Sequence, residues 1–288
     1  MNHDSITEIR ALLEERGIAL KKRFGQNFLV NRAIRNRLGD LIEQALPAEY
    51  PPGSEVWEIG PGLGALTDQL LDRKIPLRLF EIDRGVVRIL SERYGDAIPI
   101  EEGDFLRTVR TVLARDVLPM APAVPLAIVG NLPYHSAGAM VPRIIEEAIP
   151  VPVMVFLLQK EMVDRLVSAP GSGDYSALSV LVQTHYGVTR EFSVSAAAFY
   201  PRPRVGSAVA LFRERHDRPG PELTRQISLV TRTAFAQRRK TLRNTLREYL
   251  PCLEECGIDP GLRPEQLAPE EFFAIARKDL ERNSPKTR

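Results

Sequence analysis

The sequence predicts an α/β protein: a mostly parallel sheet with helices on both faces, closed by an antiparallel pair of strands and followed by a small helical domain. Three observations predict this. Short apolar runs alternate with amphipathic stretches from Glu55 to Leu158, as strand–crossover–strand units require. A glycine-rich turn, Gly60-Pro61-Gly62-Leu63-Gly64, stands where the first of those runs gives way to a helix. The strand pattern then stops beyond Arg215.

Taken in order, Ser5 and Glu8 form a capping box for a short helix that ends at Gly17. Lys21 to Val30 reads as a loop, and Asn31 to Leu46 as an amphipathic helix closed by Pro47 and the turn Pro51-Pro52-Gly53. Strands follow at Glu55–Gly60, Leu77–Asp83, Ile98–Glu102, Leu126–Gly130 and Val151–Leu158. Helices are expected around Leu66–Leu71, Gly85–Tyr94 and Ala139–Ala148. Tyr186–Val194 and Val205–Arg213 make the closing antiparallel pair. Asp217 to Gly220 is a turn-rich break, so residues 1–215 are expected as one domain and 216–288 as a helical one.

At 288 residues, 44% hydrophobic and 26% charged, the chain has the composition of a soluble globular protein. The net charge of +2 hides segregation. Six basic residues and no acidic one lie between Lys21 and Arg37, and seven and none between Arg225 and Arg247. Blocks of one sign are the footprint of nucleic-acid binding or, more plainly, of a solvated face. The N-terminus is polar, without a signal-peptide core, and the longest apolar run, Ala148 to Leu158, is too short to span a bilayer. Cys252 and Cys256 have no histidines at zinc-ligand spacing, so no metal is expected and a cytoplasmic location is.

Glu58 to Gly64 sits at a strand-to-helix turn where glycines let the backbone approach a ligand. Glu81 lies 21 residues after Gly60, at a strand end where a carboxylate accepts hydrogen bonds from a ribose diol. Both features serve a methyltransferase and a nicotinamide enzyme equally well. Asp104, after the third strand, is placed either to bond the amine of a cofactor adenine or to cap the next helix.

Asn131-Leu132-Pro133-Tyr134 follows the fourth strand, at the carboxyl edge of a parallel sheet, where ligands bind. The exocyclic nitrogen of adenine is a poor nucleophile because its lone pair is delocalised into the ring. The Asn131 side-chain oxygen and the Leu132 carbonyl offer two acceptors that hold this amine and favour the pyramidal form. Pro133 restricts the residue before it, and Tyr134 offers a face on which an extruded base can stack. A dehydrogenase has no use for this arrangement.

With these residues in place, the sequence resembles the small-subunit ribosomal RNA adenine dimethyltransferases. The resemblance runs from about Lys21 through the C-terminal helices. It rests on Arg23-Phe24-Gly25-Gln26-Asn27-Phe28-Leu29, the Glu58–Gly64 loop, Glu81-Ile82-Asp83, Gly130 to Tyr134, Leu158-Gln159-Lys160-Glu161, Phe199-Tyr200-Pro201-Arg202-Pro203 and Phe235 to Asn244. It implies a class I, Rossmann-like methyltransferase domain that binds S-adenosylmethionine through Asn27, Leu29, Gly60, Glu81, Asp104 and Asn131. It also implies Phe199 as a second aromatic of the base pocket, opposite Tyr134. The implied substrate is a pair of adjacent adenosines near the 3′ end of 16S rRNA, within the 30S subunit or its precursor, methylated by a monomer.

Two stretches depart from the family pattern. An aliphatic residue and a closing proline are usual after the tetrapeptide, where this chain has His135-Ser136-Ala137-Gly138-Ala139. Tyr175-Ser176-Ala177-Leu178-Ser179 replaces Tyr-Gly-x-Leu-Ser. His135 stands as a proton acceptor or as a helix-start residue. The rival readings are a large-subunit rRNA methylase of the antibiotic-resistance type and a non-catalytic assembly factor.

Overall fold

The computed structural model describes residues 2–18, 26–116 and 125–283. The side chains of Arg115, Asp116 and His135 lie outside that description, as do the residues from Lys21 to Gly25 and hence the first half of the basic N-terminal block. The chain divides into two compact units. One is built from the residues up to Met140 with Pro150–Lys160 and Arg190–Phe212. The other comprises Val141–Ile149, Glu161–Thr189 and the chain from Arg213 onward. The last of these junctions falls at Arg213, and two internal segments also belong to the second unit.

The first unit begins with helix α1 (Ile6–Glu15). Ser5 caps it by accepting from the Glu8 amide at 3.2 Å, but the Glu8 carboxylate bonds the amide of Asn2, so only half of the capping box forms. Phe28–Leu29 is a two-residue strand, β1, where the sequence reads as loop. It pairs antiparallel with β8 (Phe199–Tyr200), Phe28 against Tyr200 and Leu29 against Phe199. A strand this short has no periodicity to read, and its partner lies far away in the chain. Helix α2 (Arg32–Ala45) follows, capped by the Asn31 side chain on the Ile34 amide at 3.0 Å.

The alternation then unfolds as β2 (Val56–Ile59), α3 (Ala65–Asp72), β3 (Leu77–Glu81), α4 (Arg84–Tyr94), β4 (Ile100–Glu102), α5 (Phe105–Asp116), β5 (Ala127–Asn131), α6 (Tyr134–Glu146) and β6 (Val153–Gln159). Strands β7 (Tyr186–Val194) and β9 (Ser207–Glu214) complete a seven-stranded sheet of order β4-β3-β2-β5-β6-β9-β7. Strands β2, β3, β4, β5 and β6 run parallel, and an antiparallel hairpin closes the sheet. Every residue of β2 and β3 is buried, as expected for strands covered on both faces.

This order places the site. From β2 the chain moves outward through β3 to β4, then returns to β5 on the other flank of β2. The loops after β2 and β5 therefore leave in opposite directions and open a crevice at the carboxyl edge. The close approach there needs glycine: a Cβ on Gly130 would lie 2.4 Å from the Ile59 carbonyl oxygen.

The second unit carries α7 (Lys160–Leu166) from Glu161 onward, α8 (Ala177–Gln183), α9 (Pro221–Phe235), α10 (Leu242–Thr245), α11 (Leu250–Glu255) and α12 (Pro269–Asn283). Helix α9 packs on α8 and α12. The Tyr175 hydroxyl donates to the Leu267 carbonyl at 3.0 Å, and the Tyr175 ring meets that of Phe235. Ser176 stands at the start of α8, its amide donating to the Ser179 hydroxyl at 3.1 Å and its own hydroxyl lying 3.2 Å from the same oxygen, a contact that the family's glycine lacks.

Candidate active site

The carboxyl edge of the parallel strands carries a cavity of about 430 Å³ in the first unit, within the range of small-molecule pockets. Asn27, Leu29, Gly60, Glu81, Asp104 and Asn131 all line it, so six residues scattered over more than a hundred positions come together.

The loop after β2 forms one wall. Gly60, Gly62 and Gly64 take φ of 65°, 57° and 85°, angles that side chains disfavour. Gly64 leads directly into α3, and the Gly62 amide bonds the Glu81 carboxylate, tying this loop to the end of β3. A methyl group on Gly62 would meet the Phe28 ring at 3.2 Å, which shows how closely β1 lies against this loop.

Glu81 ends β3 and is 6% exposed. One of its oxygens accepts from the amides of Ile82 at 2.8 Å and Asp83 at 2.9 Å. Burial nevertheless pushes its pKa up to about 7, against those backbone bonds. The Gly62 amide bonds the carboxylate as well, and a buried carboxylate anchored to the backbone in this way is chemically suited to accept ribose hydroxyls. Asp104 is exposed; it lines the cavity and also accepts from the Leu106 amide at 2.9 Å. Of the two roles expected as alternatives for Asp104, the capping one is formed, and the residue borders the cavity at the same time.

Beneath the loop lies Glu58, 2% exposed, accepting from the Thr67 hydroxyl at 2.7 Å. Burial raises its pKa to about 8, and the charges of Asp68 and Glu81 add to the rise. The sequence marks Glu58 as part of the loop motif without marking it as titratable in the neutral range.

At the end of β5, the Asn131 side-chain nitrogen donates to the Asn27 backbone carbonyl at 2.8 Å. One of the two protons of that nitrogen is thus committed, and the oxygen of the same amide is an acceptor at the cavity wall. Leu132 is 1% exposed and does not line the cavity; its amide donates to the Leu157 carbonyl on β6 at 3.2 Å. Pro133 lines the cavity and accepts from the amides of Ser136 and Ala137, which starts α6 at Tyr134, five residues before the expected helix.

Tyr134 is half-buried, outside the cavity lining, and its hydroxyl lies 2.5 Å from that of Ser207 on β9. Burial raises the Tyr134 pKa and the Ser207 contact lowers it. Phe199 is 3% exposed and belongs to the main hydrophobic core, joined to the site through its pairing with Leu29. Ser207 is missed by sequence reasoning because it is a lone serine at the head of its strand, 73 positions from Tyr134. In the departing segment, Ser136 and Ala139 line the cavity, and a Cβ on Gly138 would meet nothing within 4 Å. The expectation for His135 rests on a side chain outside the described residues.

Arg225, Arg232, Arg239, Arg243 and Arg247 are spaced to share one face of a continuous helix, a pattern that Arg238 breaks, and the helix is interrupted near there: α9 ends at Phe235 and a turn separates it from α10. Seven-residue spacing gathers side chains only while the helix continues. Arg232 also has an acidic partner, Glu146 at 3.2 Å. Arg238, the residue outside the expected stripe, donates to the carbonyls of Ser172 and Gly173. Arg239 and Arg243 remain exposed on the turn and on α10.

Residues 17–277 match the family described as ribosomal RNA adenine dimethylase. Relatives named ribosomal RNA small subunit methyltransferase A include one from Aromatoleum aromaticum, 42% identical over 265 residues, covering 88% of this chain and 92% of the relative. Another, from Treponema denticola, is 31% identical over 289 residues, covering 96% and 94%. Among solved structures, the fold is similar to a dimethyladenosine transferase from Plasmodium falciparum, with TM-score 0.68, 19% identity, and coverage of 88% of this chain and 96% of the other. It is similar also to the 23S rRNA methyltransferase ErmE, with TM-score 0.59, 24% identity, and coverage of 88% and 99%. With the glycine loop, Glu81, Asn131 and Pro133 assembled around one cavity, the chain belongs to the ribosomal RNA adenine dimethylase family.

Proposed function

We propose that this protein transfers methyl groups from S-adenosylmethionine to the exocyclic N6 of two adjacent adenosines near the 3′ end of 16S-type rRNA, acting as a cytoplasmic monomer on the 30S subunit or its precursor. The observation that carries this reading is the Asn131 amide, fixed by the Asn27 carbonyl at the edge of a cavity that also holds Glu81.

The residues divide the work. Glu81 receives the ribose hydroxyls, Asp104 the adenine amine of the donor, and Gly60, Asn27 and Leu29 bring backbone close to it. The methyl group arrives already activated on a sulfonium, so alignment for in-line attack is the protein's main contribution. The Asn131 oxygen and the Leu132 carbonyl accept from the target amine and favour the geometry that exposes its lone pair. Tyr134, steadied by Ser207, gives the extruded base a face to stack on, with Phe199 behind the pocket. Methylated adeninium is acidic enough to release its proton to water, so no strong base is required.

Small-subunit specificity is supported by the full-length relatives and by the Gln237–Asn244 segment. The test is mass spectrometry of rRNA after incubating the protein and labelled donor with undermethylated 30S or with 50S particles. Dimethylated adenosine pairs in 16S rRNA alone are expected. Label in 50S particles would make it a large-subunit methylase, and binding to 30S without turnover an assembly factor.

A further inference from the structure

Outside the sheet's main core lies a second hydrophobic cluster that the methyl-transfer reading leaves unused. Ile9 and Leu13 of α1 pack with Phe28 of β1, Leu63 of the glycine loop and Ile89 of α4, and Tyr200 of β8 packs against them. Polar contacts fasten the same segment at three points.

At its start, the buried Arg35 pairs with Asp4 and donates to the Leu29 carbonyl at 3.1 Å. Next to it, His3 lies 2.9 Å from Asp68, which also pairs with Arg93, and Arg93 donates to the Leu63 carbonyl at 3.1 Å. Leu29 and Leu63 both line the cavity. In the middle of α1, Arg10 donates to the Tyr200 hydroxyl at 2.8 Å and lies over its ring. Tyr200 directly follows Phe199 on β8.

We propose that the segment from His3 to Glu15 is a positioning strap for methyl transfer. Asp4 and His3, acting through Arg35 and Arg93, hold the two carbonyl-bearing rims of the cofactor pocket, while Arg10, acting through Tyr200, holds the strand that carries Phe199. The inference rests on the pocket assignment above and extends it to Asp4 and Arg10, which lie outside the cavity lining, and to His3, which borders it. Its physical basis is that a guanidinium fixes a carbonyl only while its own charge is paired. Without Asp4, Arg35 is a buried cation lacking its carboxylate, and relaxation there shifts Leu29. A misplacement of about 1 Å at a site that works by alignment carries a large rate cost.

The strap predicts a separation of effects that simple packing does not. Asp4→Asn is expected to weaken donor affinity about tenfold by calorimetry, a loss typical of one charged hydrogen bond, with Asp4→Glu restoring most of it. The KM for 30S particles should not move. Arg10→Ala is expected to leave donor affinity within about twofold but to lower the single-turnover rate at saturating donor about tenfold, with Arg10→Lys recovering part. Melting temperatures are measured on every variant. Losses of affinity and rate that simply track melting temperature, in both variants alike, would overturn the strap, as would unchanged donor affinity in Asp4→Asn. Glu81→Ala runs alongside: if it weakens donor binding while the strap variants do not, the strap alone fails, and if it does not, the pocket assignment fails and the strap with it.

Discussion

The side-chain nitrogen of Asn131 donates a 2.8 Å hydrogen bond to the backbone carbonyl of Asn27, tying the end of β5 to the residue that precedes β1. The bond sets which atom of the amide faces the pocket. Asn131→Ala is expected to remove most methyl transfer, by at least about a hundredfold if alignment dominates, while 30S binding persists. Asn131→Asp keeps an acceptor but sets a carboxylate against the Asn27 carbonyl, so it should be nearly as impaired. Single-turnover rates at saturating donor read this directly, and near wild-type turnover in either variant would refute the role.

Tyr134 is held in the same way by Ser207. Ser207→Ala removes the hydroxyl partner without creating a sizeable cavity and should cost about 1 kcal/mol or less in stability. The expected signature is a several-fold lower rate with unchanged donor affinity, because the stacking face is loosened and the donor wall is not. A normal rate would mean that packing alone holds the ring.

Glu81 predicts a pH dependence of donor binding. Burial raises its pKa to about 7, and a ribose diol donating to the carboxylate favours the ionised form. Affinity should therefore rise as pH increases from 6 to 8, by roughly tenfold, and binding should release a proton near neutrality. Calorimetry in buffers of different ionisation enthalpy measures that proton. Glu81→Gln should flatten the profile, and Glu81→Ala should weaken binding by about 1–3 kcal/mol without changing affinity for 30S particles.

Glu58 predicts a pH dependence of folding. Its folded pKa, raised to about 8 by burial, lies above that of an unfolded glutamate. The folded state then holds a proton that the unfolded state gives up, so stability is fully present below about pH 4 and is lost as pH rises toward 8. Glu58→Gln retains an acceptor for the Thr67 hydroxyl and removes the titration. Denaturant unfolding should show this variant more stable than the parent at pH 8.5, on the order of a few kcal/mol, with the advantage vanishing near pH 4. An equal difference at both pH values would show that the carboxyl does not titrate there.

Arg239 and Arg243 are exposed on the turn after α9 and on α10, where phosphate contacts would position RNA without reading its sequence. Arg239→Glu with Arg243→Glu should weaken 30S binding, most at low salt and less as salt rises and screens the lost contacts. The paired alanine variant should reduce the slope of log affinity against log salt by about 1 per lost phosphate contact. Donor affinity should be unaffected. Unchanged 30S binding across salt concentrations would make both residues part of a solvated face.

Much of this protein was legible in the sequence because its signals are local. The alternation from Glu55 to Leu158 predicted the parallel strands, which the structure places within about two residues at each end. The turn glycines and Glu81 pointed to the crevice because strand ends in a parallel sheet converge on it. What local pattern cannot carry was decided by tertiary contact. Phe28–Leu29 is a strand only because Phe199–Tyr200 lies alongside. The basic C-terminal residues share no single helical face because the chain turns after Phe235. Burial decided the rest. The sequence names Glu58 and Glu81 as carboxylates, but only the packed interior around them withdraws water and lifts their pKa values into the neutral range.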